Sequence, residues 1–130
     1  MIVRHLEDIV GTENDVHGDT WNSRRFLLKK DGVGFSLNDT IIKAGTESYF
    51  WYANHIEAVY CVEGEGEIES IADGKVYPIR PGTLYVLNEH DKHYLRAKTQ
   101  LRLVCVFNPP LTGRETHDEN GVYPLIVEED

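Results

Sequence analysis

Residues 45–64 read GTESYFWYANHIEAVYCVEG. Two runs rich in aromatic and β-branched residues, TESYFWY (46–52) and HIEAVYCVE (55–63), lie between Gly45 and the GEG turn at 64–66. That is the pattern of two short strands bounded by turn residues. Upstream, SRRFLLKK (23–30) stops at Asp31-Gly32, and VGFSLNDTIIK (33–43) stops at Ala44-Gly45. Downstream come EIESIA (67–72), the Asp73-Gly74 turn, KVYPI (75–79), the turn RPG (80–82), TLYVL (83–87), HYLRA (93–97) and LRLVCVF (101–107). Gly and Pro at these junctions supply the positive or fixed φ that tight turns require. Many short strands at regular spacing predict an all-β sandwich or barrel.

The flanks carry less. HLEDIVGTEND (5–15) predicts one short helical turn. Pro109-Pro110 ends strand structure, and residues 111–130 read as a polar loop and tail. The expectation is one domain over 1–130: a core barrel about 20–108 and a C-terminal lid or tail about 109–130.

Composition narrows the partners. A chain of 130 residues that is 41% hydrophobic can bury one real core. A net charge of -9 argues against nucleic acid and anionic membranes as partners. Cys61 and Cys105 are too few for a disulfide framework and sit in apolar runs, as buried free thiols do. The N-terminus lacks the apolar core of a signal peptide, and no run reaches membrane-spanning length. The expectation is a soluble, cytoplasmic protein.

Within 45–64 the residues Gly45, Trp51, Ala53, Glu57 and Gly64 keep the spacing of the first cupin motif. Gly82, Asn88, His90, His93 and Ala97 keep that of the second, with Asn88, His90 and Ala97 where Pro, Gly and Asn are usual. The sequence therefore resembles a cupin, a small jelly-roll-like β-barrel that binds metal through three His and one Glu. Trp51 and Ala53 replace two of those His, so only Glu57 and His93 remain. Strand periodicity offers a third donor: Tyr85 and Leu87 share one face, and an inward face brings Tyr85 beside His93. Glu, Tyr and His form an O, O, N set suited to Fe, Mn or Zn, with positions left open for substrate. The alternative is a core Tyr with its hydroxyl hydrogen-bonded and a Glu paired with an Arg.

Much longer stretches carry a sharper likeness. WNSRR at 21–25, residues 45–69, 73–97 and 101–125 resemble the ectoine synthase family over essentially the whole chain. The resemblance implies iron, expected as Fe(II), on Glu57, Tyr85 and His93. It implies cyclisation of N-γ-acetyl-L-2,4-diaminobutyrate to L-ectoine, a compatible solute, with loss of water: a hydro-lyase. It carries substrate contacts onto Trp21, Arg25, Asn38, Thr40, Tyr52, Phe107, Glu115 and His117, and it implies a homodimer.

Some of these placements can be weighed from spacing. Trp21 and Arg25 lie an even number apart, so one strand face holds both. Asn38 and Thr40 share a face that is either an outer surface or a wall of the site. His55 stands two residues before Glu57 and is a substrate-facing or supporting residue. Tyr52, Glu115 and His117 are the candidate acids and bases. His90 reads as a turn residue, and His5 and His17 have no assignment. Two rival functions remain: a small iron cupin dioxygenase, and a non-enzymatic cupin that binds a small acid.

Overall fold

A computed structural model describes residues 1–113. These form β1 (Asp15–His17), β2 (Trp21–Leu27), β3 (Ser36–Ile42), β4 (Glu47–Phe50), β5 (Ile56–Glu63), β6 (Gly66–Ser70), β7 (Val76–Ile79), β8 (Leu84–Leu87), β9 (His93–Ala97) and β10 (Leu101–Asn108). A six-stranded sheet runs β1-β2-β3-β10-β5-β8 and a four-stranded sheet runs β4-β9-β6-β7. All of these neighbouring strands pair antiparallel. The all-β architecture expected from the turn spacing is the one observed, and its two antiparallel sheets have the form that the cupin resemblance implies.

The strands owe their places to alternation. In β2, Trp21, Ser23 and Arg25 are buried while Asn22, Arg24 and Phe26 are not. In β10, Leu101, Leu103, Cys105 and Phe107 point inward. In β8, Leu84 and Val86 are exposed, Leu87 is buried and Tyr85 packs against the core. Each large apolar side chain fully buried this way contributes about 1.5–3 kcal/mol relative to exposure. Ile42, Leu101, Leu103 and Leu95 fill the space between the sheets.

Register arranges the inward residues of the large sheet in rows. One row runs Arg25, Asn38, Cys105, Val59, Tyr85 across five strands. The next runs Ser36, Phe107, Glu57, Leu87. A third runs Ser23, Thr40, Leu103, Cys61. On the outer face Asp39 lies between Arg24 and Arg102, pairing with the latter at 2.8 Å. The close approach at Gly64 admits no side chain: its φ is +93 and a Cβ would stand 2.1 Å from the Gln100 carbonyl oxygen.

Three local features differ from the sequence expectation. β1 is an additional short strand on the edge beside β2. β2 stops at Leu27 instead of reaching Lys30, and a 3-10 turn follows at Lys29–Asp31, where the Asp31 carboxylate accepts from the Leu28 amide at 2.9 Å. Residues 109–113 do not stand off as a loop. Leu111 is 0% exposed, its amide donates to Ser36 Oγ at 2.9 Å, and its carbonyl accepts from Lys29 N at 2.7 Å. The expected N-terminal helical turn is present as a 3-10 turn at Leu6–Asp8.

Candidate active site

The rows place a cavity between the two sheets. Its walls include Trp21, Asn38, Thr40, Tyr52 and Phe107 together with Glu57, Tyr85 and His93. Asn38 and Thr40 thus face inward, which settles the open choice for that strand face. Ser23 and Cys105 line the same cavity and had no role in the sequence reading. Even spacing between Trp21 and Arg25 was the available signal for Ser23. A wider groove opens between β7 and β8 and shares only Tyr85 and His93 with the interior.

Glu57 and His93 are buried, and Tyr85 is half-buried, reaching both the cavity and the groove. Glu57 is 5% exposed and its carboxyl is pushed up to about 8 by burial, partly offset by a hydrogen bond from Cys105. Among the described residues no Lys or Arg contributes to that shift, so none of them forms the Glu–Arg pair of the alternative reading. Burial and the nearby Glu57 push the Tyr85 phenol well above its usual value. Burial lowers the His93 imidazole. His93 Nδ1 lies 3.0 Å from the Asp91 carbonyl oxygen. A carbonyl only accepts, so Nδ1 carries the proton and Nε2 is left with its lone pair. Metal-ligating histidines are commonly fixed in this way.

These observations fit a cation. A positive ion would reverse the desolvation that holds Glu57 and Tyr85 neutral, favouring carboxylate and phenolate. Among the described residues no three His, Cys, Asp or Glu side chains gather as a metal-binding group, and Tyr85 is the further oxygen donor that lines the cavity with Glu57 and His93. The opening stretch shows why: Trp51 lies on the rim, bonded to the His90 carbonyl, and supplies no ligand to the interior.

Of the remaining expected residues Tyr52 lines the cavity, whereas Arg25 and His55 are buried outside its walls. Arg25 is 1% exposed, sits beside Asn38 in its row, and donates from Nη1 to the Gly113 carbonyl at 2.7 Å. Tyr52 meets Phe107 edge-on at 5.2 Å and lies 6.1 Å from the His93 ring. His55 is fully buried, packs edge-on against Phe107 at 5.9 Å and bonds through Nδ1 to the Pro109 carbonyl at 2.9 Å. Its Nε2 is buried without a partner among the described residues. Glu115 and His117 lie outside the described residues.

Such a cavity has the make-up of a small-molecule site, with largely apolar and aromatic walls and a few convergent polar groups, here Asn38, Glu57, Tyr85 and His93. Comparison with known proteins identifies the lineage. The ectoine synthase family model matches residues 1–127. The L-ectoine synthase of Oceanobacillus iheyensis is 72% identical over 98% of this chain and 100% of its own length. The crystal structure of ectoine synthase from P. lautus is 66% identical, with a TM-score of 0.88, over 100% of this chain and 94% of that one. A cupin domain of an XRE-family regulator from Enterobacter cloacae, 18% identical over 71% of this chain and 99% of its own, shares the fold with a TM-score of 0.58. With its family model and these relatives matched along nearly the whole chain, the protein belongs to the ectoine synthase family.

Proposed function

We propose that this enzyme closes N-γ-acetyl-L-2,4-diaminobutyrate into L-ectoine with loss of water, as a hydro-lyase, using iron as Fe(II) held by Glu57, Tyr85 and His93. The observation that carries the reading is full-length identity of 72% to an L-ectoine synthase. Glu57, Tyr85 and His93 line the same cavity as Trp21 and Phe107, which supports it independently. A homodimer in the cytoplasm completes the proposal.

In the reaction the substrate's α-amine attacks the acetamide carbonyl carbon. A C–N bond forms, the carbonyl oxygen becomes a hydroxyl, and its loss as water leaves the C=N bond of the ring. Amides are weak electrophiles, so the bound metal would supply Lewis-acid polarisation. The protein's own residues do the rest. The Arg25 guanidinium pairs with the substrate carboxylate. Trp21 and Phe107 hold the chain curled with amine and carbonyl near each other, which replaces a large entropic barrier. Asn38 and Thr40 offer side-chain polar groups to the substrate from one strand. The walls exclude bulk water, which favours dehydration. Tyr52, with Glu115 and His117, would take a proton from the amine and deliver one to the departing oxygen.

The test is direct. Purified protein is incubated with the substrate, the methyl resonance is followed by NMR, and dissolved oxygen is recorded. Ectoine with no oxygen consumed is the expected result. Oxygen uptake coupled to turnover, or binding with no product, would replace this reading with an oxygenase or a binding protein.

A further inference from the structure

The two residues that most change the character of the cupin frame meet each other. Trp51 occupies a position where the frame has a metal-binding His, and His90 one where it has Gly. The Trp51 indole Nε1 donates to the His90 carbonyl oxygen at 3.0 Å. Lys92 Nζ stands 4.3 Å from the centroid of the Trp51 ring. His90 Nδ1 in turn lies 2.9 Å from the Tyr52 carbonyl oxygen and 3.1 Å from that of His55. Both are acceptors, so Nδ1 carries a proton and shares it between them.

The backbone gives the second observation. His90 has φ 54, and among the described residues it is the one non-glycine with positive φ. Glycine takes that conformation without a steric penalty; a residue with a Cβ persists there when its surroundings hold it. What His adds over Gly is the ring, and the ring bonds across to the other turn. All of these contacts run between residues 88–92 and residues 51–55.

We propose that Trp51, His90 and Lys92 form a clamp between the two turns, and that His90 is the positioning residue for Tyr52 and His55. The change that removed a metal ligand at 51 thereby yields an anchor outside the cavity. Tyr52 is aligned through its own carbonyl, so its ring keeps its station against Phe107 and His93. The catalytic part of this proposal rests on the cyclisation reading. Ring closure makes such alignment matter: small misplacements of reacting groups cost up to about a hundredfold in rate.

The experiment compares the full chain with His90→Gly and His90→Asn. Glycine suits the backbone but deletes the ring. Asparagine tolerates the left-handed region and places an amide N–H near the position of Nδ1. Hydrogen exchange is read at the amides of 52–56 and of β10, and kinetics are measured with N-γ-acetyl-L-2,4-diaminobutyrate. His90→Gly is expected to speed exchange at 52–56 and leave β10 unchanged. It should lower kcat by about tenfold to a hundredfold, with KM, iron content and Tm near wild type. His90→Asn should restore most of both readouts. Wild-type exchange at 52–56 in His90→Gly overturns the clamp. So does a kcat loss that merely follows lost iron or lost Tm, or an Asn variant no better than Gly. If the wild type makes no ectoine the cyclisation reading fails, while the exchange comparison still decides the clamp.

Discussion

At the scale of single residues, the proposed site rests on Glu57, Tyr85 and His93, which line one cavity. Removing Glu57, Tyr85 or His93 should each lower retained iron at least about tenfold and abolish most turnover, because even supporting residues at metal sites affect affinity by that much. Elemental analysis of Glu57→Ala, Tyr85→Ala and His93→Ala checks this, and full iron in any variant would remove that residue from the set. Glu57 also predicts a pH dependence. Its folded carboxyl is raised to about 8, above the unfolded value of about 4.3, so the protonated form favours the fold. Metal-free protein should therefore gain stability as pH falls from about 8 towards 6.5, and lose it as pH rises through that window. Below about 6.5 the lowered His93 acts in the opposite sense, since its protonation favours the unfolded chain. Glu57→Gln should flatten the slope between 6.5 and 8 in urea titrations; an unchanged slope would mean another group titrates there.

At the scale of elements, strand alternation fixes which side chains enter the barrel. Leu103 is 1% exposed in the centre of β10, so Leu103→Ala should cost about 2–5 kcal/mol, measurable by denaturant unfolding. This alternation was readable in advance because apolar residues recur every second position in β10 and Gly or Pro punctuates the turns. It also placed Tyr85 and Leu87 on one face, which the fold turns inward. β1 was not readable, because DVH is three residues long, too short to establish a period. Nor was the Trp51–His90 contact, which joins turns 39 residues apart and depends on how two strand pairs close. Asn38 and Thr40 could be given a common face but no inward direction until β3 was seen between β2 and β10.

At the scale of the whole molecule, the barrel ends later than its last strand. Leu111 packs into the core and Gly113 accepts from Arg25, so a cut after Phe107 would open the fold as well as remove a tail. Removal of residues 114–130 is the cleaner test of a lid bearing Glu115 and His117. Tm should stay within a few degrees while turnover falls to background; wild-type rates from the shortened protein would refute a catalytic role for the tail. Pro109-Pro110 marked the end of strand structure correctly but gave no sign that the next residues return to the core. The donor set was readable only as candidates, because a Glu, a Tyr and a His at these spacings also suit an ordinary wall. Their meeting in one cavity, and the absence of a cationic contribution at Glu57 among the described residues, are features of the folded chain.

The central claim is that a cupin frame stripped of two histidines carries its chemistry on Glu57, Tyr85 and His93. Its most direct test is an anaerobic titration of chelator-stripped, full-length protein with Fe(II), following ectoine formation by NMR against bound iron. The account predicts no ring closure without iron and a rate rising in proportion to occupancy, saturating at one iron per chain. Ectoine formed at full rate by iron-free protein would contradict it.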